Sequence, residues 1–251
     1  MLDPKTAIGI RDLTMAYGDF IIQRGLEFEI NKGEIFIIMG DSGSGKSTLL
    51  KHMIGLMKPK TGQILYQAGD FWASSEEERK VASQRFGVLY QSGALWSSMT
   101  LAQNIRLPLA TYTDYSESDI KDIIALKLSL VGLAGFEDFY PSEISGGMKK
   151  RAGLARAMAL DPEILFFDEP GAGLDPISSK RLDDLIIELR DGLGTTIVIV
   201  THELDSIFAI GDRGVFVDAD VRTQTALGRI SDLRKSPPSP KVAEFLSRSS
   251  K

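Results

Sequence analysis

Apolar residues alternate with polar ones over Ile8 to Leu13 and again over Leu26 to Ile30. That period of two predicts antiparallel strands with one face on a core and one in water. Turn signals at Gly18-Asp19 and Asn31-Lys32-Gly33 bound them. Ile35 to Met39 and Ile164 to Phe167 are instead unbroken apolar runs, the pattern of strands buried on both faces. Phe86 to Tyr90, Thr196 to Val200 and Val215 to Val217 read as further strands, and Gly62 to Trp72 as a short strand pair.

Helical signals fall between them. Thr48 to Met57 reads as a helix, and Ser74 with Glu77 fits a capping box opening a charged helix that runs to about Gln84. From 92 to 160 the chain changes character and reads as mainly helical. There Ile120, Ile123, Ile124, Leu128 and Val131 form one apolar stripe, with Ser116 as its cap and Gly132 as its stop. Ser145-Gly146-Gly147 opens a second helix, Met148 to Leu160, ended by Asp161-Pro162. Ser178 to Arg190 and Asp205 to Ile210 follow as helices. Ser236 to Pro240 carries a proline-rich linker signal, and Val242 to Leu246 the spacing of one helical turn with an apolar side. The alternation of strands and helices predicts an α/β fold.

Composition narrows the chemistry. The chain has 251 residues, enough for one large domain or two small ones, with 43% apolar and 25% charged residues. A formal net charge of -5 argues against a general nucleic-acid binder. The absence of cysteine excludes disulfides, thiolate metal sites and cysteine nucleophiles, and two histidines, His52 and His202, make a zinc site improbable. No apolar run approaches the roughly 18 residues needed to span a bilayer, and Met1 to Lys5 do not resemble a signal peptide. The expectation is a soluble, cytosolic chain whose membrane role, if any, comes through a partner.

The densest chemistry lies after the first unbroken run. Gly40-Asp41-Ser42-Gly43-Ser44-Gly45-Lys46-Ser47-Thr48 fits the phosphate-loop pattern G-x-x-x-x-G-K-[ST] at every fixed position. Its glycines let successive backbone N–H groups turn toward phosphate oxygens. Lys46 supplies a charge for the β and γ phosphates, and the Ser47 hydroxyl can ligate Mg²⁺. The helix that follows presents its N-terminus to the anion. Asp41 is the odd member, an acid inside an anion loop, expected to point away from the phosphates.

Four apolar runs end in residues suited to phosphate chemistry: Gly40, Gln91, Asp168-Glu169 and His202. Ligands of an open parallel sheet bind outside the carboxyl ends of its strands, so these four converge on one site. Asp168 can hold Mg²⁺ through water, and Glu169 beside it can take a proton from attacking water. Gln91 can ligate Mg²⁺ or orient water. His202 can hydrogen-bond the γ phosphate or serve as a structural histidine. Tyr17 sits at the first turn, either as a half-buried aromatic or as a stacking platform for a base. Gly146 and Gly147 cost helix stability, up to about 1 kcal/mol each, which makes sense where something must approach bare backbone N–H groups.

In this order the residues resemble the ATP-binding cassette (ABC) family over nearly the whole chain. The matching features are Tyr17, Gly40 to Thr48, Gln91, Ser145-Gly146-Gly147, Asp168-Glu169, Leu174-Asp175 and His202. The resemblance implies a P-loop NTPase (RecA-like) core with a parallel sheet, an N-terminal antiparallel β subdomain and an inserted helical subdomain at about 92–160. It makes 1–235 the ATPase domain and 236–251 a C-terminal tail. It implies ATP and Mg²⁺ as ligands and a head-to-tail homodimer, in which Ser145, Gly146 and Gly147 of one copy meet the γ phosphate held by the other. Asp175 joins the nucleotide site by the same resemblance.

Ile144-Ser145-Gly146-Gly147-Met148 departs from the usual L-S-G-G-Q signature. Its methionine is similar to the ATPases of MCE-associated, Mla-type lipid transporters, as are Gln91 to Leu95, Gly147 to Arg151 and Pro240 to Leu246. That subgroup implies a phospholipid transporter ATPase at the cytoplasmic face of the inner membrane. Its partners would be an integral-membrane permease, an MCE lipid-binding protein and, often, a small STAS-domain subunit. There the tail can reach the neighbouring ATPase; plain disorder is the other reading of it. An ABC ATPase for another solute would keep every catalytic role. An ABC ATPase of DNA repair or translation would usually add coiled coils, zinc modules or a second cassette.

Overall fold

The two strand patterns build two separate sheets. The computed structural model describes residues 2–248. Strands β1 (Thr6–Tyr17) and β2 (Phe20–Asn31) form an antiparallel hairpin closed by Gly18-Asp19, with Tyr17 opposite Phe20. Between β2 and the helices that follow come β3 (Ile35–Met39) and α1 (Lys46–Met53). Strands β4 (Thr61–Tyr66) and β5 (Gly69–Asp70) then return to the hairpin, giving a four-stranded sheet in the order β2-β1-β4-β5.

After α2 (Glu76–Ser83) and β6 (Phe86–Leu89) the chain leaves the sheet for α3 (Leu101–Tyr112), α4 (Glu117–Leu130) and α5 (Gly146–Ala157). It returns through β7 (Ile164–Asp168), α6 (Pro176–Leu193), β8 (Thr196–Val200) and α7 (Leu204–Ile210). Strands β9 (Arg213–Asp218) and β10 (Thr223–Arg229) follow, then helices α8 (Ile230–Lys235) and α9 (Pro240–Ser247). The second sheet has the order β10-β9-β3-β8-β7-β6. Strands β9, β3, β8, β7 and β6 run parallel, and β10 adds an antiparallel edge beside β9, so the sheet is mixed.

The unbroken runs follow from this layering. On β3, Ile35, Ile37 and Met39 face a core shared with α5, α6 and α7, whereas Phe36 and Ile38 face a second core shared with β1, β2 and α1. Leu165 and Phe167 likewise divide from Ile164 and Phe166 on β7. A strand covered on both faces has no polar side to show. The α4 stripe joins the first core through Ile120, Ile124 and Leu128, so the helical insertion is continuous with it.

Several boundaries differ from the sequence expectation. Helix α1 stops at Met53, because the chain turns at Gly55, whose φ is +81°. The capping box of α2 is Ser75 with Glu78; Ser74 instead donates its hydroxyl to the Asp70 carbonyl. Helix α5 ends at Ala157, three residues before Leu160, through a turn that puts Asp161 at φ +49°. Helix α6 starts at Pro176, with Asp175 accepting from the amides of Ile177 and Ser178. Strand β10 and helix α8 had no clear signal. The 240–247 segment forms a two-turn helix, and its Val242, Phe245 and Leu246 are buried in the first core.

Candidate functional site

The carboxyl ends of β3, β6, β7 and β8 emerge on one edge of the parallel part of the sheet, because the four strands share a direction. A cleft of about 1330 Å³ lies there, lined among others by Tyr17, Gly40, Lys46, Gln91, Glu169 and His202. Ser42, Gly43, Gly45, Ser47 and Thr48 also face it. Tyr17 is exposed at the hairpin tip beside exposed Phe20, and both line the cleft.

Gly40 takes φ +151° and packs so tightly on β9 that a Cβ there would lie 2.3 Å from the Val217 carbonyl oxygen. Only glycine permits that approach. Lys46 is buried, and its Nζ donates to the carbonyls of Gly40 (2.9 Å) and Asp41 (3.0 Å). Burial lowers the pKa of its ammonium, against the opposing pull of Glu169, Asp41 and Asp168. Ser44 lies buried under the loop.

The Ser47 hydroxyl donates to Asp168 Oδ1 at 2.9 Å, joining two of the three residues expected to hold Mg²⁺ across 121 residues of chain. Burial raises the Asp168 pKa, partly offset by that hydrogen bond. Among the described residues no cluster of three or more His, Cys, Asp or Glu stands ready for a metal. The hard-oxygen set of Ser47, Asp168 and Gln91 nevertheless suits Mg²⁺, which takes one or two protein carboxylates and keeps water and phosphate oxygens for the rest.

Glu169 follows in a left-handed conformation, φ +49°, which a non-glycine residue adopts only under constraint. Its Oε1 meets His202 Nδ1 at 2.8 Å, while Oε2 is buried without a hydrogen-bond partner. A buried acceptor left free at a phosphate cleft fits a group that receives a water proton. His202 therefore contacts the carboxylate directly, a relationship its sequence position did not suggest.

Ser145, Gly146 and Gly147 do not join this cleft within the chain. Ser145 caps α5 by accepting from the Met148 amide at 3.3 Å, and a Cβ on Gly146 would meet nothing within 4 Å. The bare helix N-terminus thus faces outward. Asp175 is exposed as the cap of α6 and does not line the cleft.

Two buried polar residues that support the site went unread. Gln23 Nε2 donates to the carbonyls of Ser44 (2.7 Å) and Asp218 (2.9 Å), tying the phosphate loop to the end of β9. Lys150 Nζ, reaching from α5, donates to the carbonyls of Pro170 and Ala172, both at 2.5 Å, and so holds the turn after Glu169. Nothing local distinguishes either from a solvated side chain.

The comparisons agree with this geometry. Residues 23–172 match the family model described as ABC transporter. The chain is 44% identical over 206 residues, 82% of its length, to the probable ribonucleotide transport ATP-binding protein mkl of Mycobacterium leprae, and spans 59% of the length of that relative. It is 37% identical to the intermembrane phospholipid transport system ATP-binding protein MlaF of Escherichia coli K12, over 95% of this chain and 88% of MlaF. Its fold superposes with a TM-score of 0.80, at 26% identity, on a dimeric ATP-binding cassette in a post-hydrolysis state bound to ADP and Pi, covering 89% of this chain and 98% of that one. With a phosphate loop, Asp168-Glu169 and His202 gathered at one sheet edge and the family model matched across most of that core, the chain belongs to the ABC transporter family.

Proposed function

We propose that this chain is the ATP-hydrolysing subunit of an ABC transporter that powers phospholipid transport through a separate membrane permease. The observation that carries the catalytic part is Glu169, held by His202 on one oxygen and free on the other at the mouth of the phosphate loop. The loop amides and Lys46 bind the triphosphate, and Tyr17 stacks on the base. Ser47, Asp168 and Gln91 would hold Mg²⁺, which when bound would offset phosphate charge. Glu169 accepts a proton from water as that water attacks the γ phosphorus. The bond from that phosphorus to the bridging oxygen breaks, and ADP and phosphate leave.

Two copies form the working unit in this reading. The outward-facing Ser145-Gly146-Gly147 end of α5 supports it, since a helix N-terminus with bare amides suits a phosphate presented by a second copy. Asp175 then belongs to the facing surface and acts beside the partner's nucleotide rather than in its own cleft. Among the described residues no helix is long and apolar enough to cross a membrane. In this reading the subunit sits on the cytoplasmic face of the inner membrane, held by its permease. An MCE lipid-binding protein and a small STAS-domain subunit complete the proposed assembly.

Phospholipid is favoured over another solute because the likeness to MlaF runs through 95% of the chain and 88% of that relative. Purification of the tagged chain from gently solubilised membranes tests the assignment. A permease that co-purifies with an MCE protein is expected; a permease for nucleotides, amino acids or metals overturns the lipid reading and leaves the ATPase reading intact.

A further inference from the structure

Asp41 places a carboxylate inside a loop built to bind polyanions, and its partners lie at the other end of the chain. Arg248 Nη1 donates to Asp41 Oδ1 at 2.8 Å, and Lys241 Nζ lies 3.8 Å from Oδ2. Both cations come from the C-terminal segment around α9. That segment is anchored independently of them. Ser239 caps α9, Val242 and Phe245 are buried, and the Phe245 ring packs edge-on against Phe216 with centroids 5.1 Å apart. Phe216 lies beside Met39, the residue immediately before the phosphate loop.

Lys241 makes two more contacts, with Asp218 Oδ1 at 2.6 Å and Asp220 Oδ2 at 2.5 Å. The Asp218 carbonyl accepts from Gln23, which also holds Ser44 of the loop. The C-terminal helix therefore reaches the loop by two routes, directly at Asp41 and through β9 at Ser44. Arg248 and Phe245 also line the nucleotide cleft.

We propose that the 240–248 segment is a strap on the phosphate loop of its own cassette, in which Lys241 and Arg248 neutralise and hold Asp41 and thereby set the affinity for ATP. The proposal rests on the reading of Gly40 to Thr48 as the ATP-binding loop. An unpaired Asp41 carboxylate repels the triphosphate and frees the loop to leave its binding shape; the strap removes both effects. Lys241 and Arg248 act as positioning residues, through Asp41, and α9 becomes a place where anything that displaces it lowers nucleotide occupancy.

Equilibrium binding of Mg·ATP to the full-length protein tests this, with Arg248→Ala and Lys241→Met in place of truncation, because deletion would remove buried Val242 and Phe245. Each variant is expected to weaken ATP binding by about two- to fivefold, the range of an exposed ion pair, with KM raised and kcat little changed. Adding Asp41→Asn to either variant is expected to restore affinity, because the carboxylate charge left under-compensated by the lost cation is gone; a merely structural role for α9 would give no such rescue. Wild-type affinity in both single variants, or a loss that Asp41→Asn does not relieve, overturns the strap. Lys46→Ala is the control for the underlying reading. If it leaves ATP binding unchanged, the nucleotide site itself is misassigned; if it abolishes binding while the strap variants do nothing, only the strap falls.

Discussion

His202 Nδ1 and Glu169 Oε1 stand 2.8 Å apart, bridging the ends of two adjacent parallel strands. The contact gives the histidine a defined task beyond any bond to phosphate. It engages one carboxylate oxygen and leaves Oε2 without a partner, the arrangement that the proposed general base uses. The strained φ of Glu169 supports the same orientation, since the backbone is bent where the carboxylate must stand.

Replacing Glu169 by Gln keeps the size and a partner for His202 but removes the proposed base. Turnover is expected to fall by about 10²–10⁴-fold, while ATP still binds. Phosphate release together with size-exclusion chromatography in Mg·ATP checks this. The expected result is a trapped dimer without hydrolysis, and full activity would remove Glu169 as the base.

Lys46→Ala acts earlier in the cycle. The buried ammonium holds the Gly40 and Asp41 carbonyls, and the proposed function has it meet the phosphates. The variant is expected to lose nucleotide affinity itself, which titration calorimetry reads directly and independently of hydrolysis.

Lys150→Met tests the tie between α5 and the turn after Glu169. Methionine keeps the bulk but leaves the Pro170 and Ala172 carbonyls without their donor. Each unsatisfied group costs about 1–3 kcal/mol. Denaturant unfolding should show the loss, and kcat should drop more than ATP affinity, because Lys150 bonds to the turn after Glu169 and to no residue of the phosphate loop.

Asp183 provides a pH signature. Burial, reinforced by the nearby Glu203 and Asp184 carboxylates and opposed by the Ser206 hydroxyl, pushes its carboxyl up to about 6 from an ordinary 3.8. The folded state therefore holds a proton that the unfolded state has released between those values. Its contribution is fully present below 3.8 and is lost as pH rises through about 6. Asp183→Asn keeps an acceptor for Ser206 and is expected to flatten this part of the profile, raising Tm relative to the parent at neutral pH. Thermal melts from about pH 3 to 8, which brackets both values, measure it.

Most residues that line the cleft were legible because their chemistry is bound to local patterns. A doubly buried run followed by Gly40 to Thr48, or by Asp168-Glu169, announces both the strand and its end. Strand β10 was not legible: of its seven residues only Ala226 is buried, so an edge strand of this kind shows no alternation. Ser74 and Ser75 offered the same hydroxyl one residue apart, and only the fold distinguished the cap from the loop contact.

The sequence by itself determined most of the elements, the phosphate loop and the set of strand ends, since period, glycine placement and turn chemistry act over a few residues. Tertiary structure alone decided which distant groups meet. Gln23 reaching Ser44 and Asp218, Lys150 reaching Pro170, and Arg248 reaching Asp41 across 207 residues of chain are such meetings. No local propensity encodes them, because a buried hydrogen bond or ion pair forms only after the apolar cores have brought strands and helices into register, and its partners look like ordinary polar residues until then.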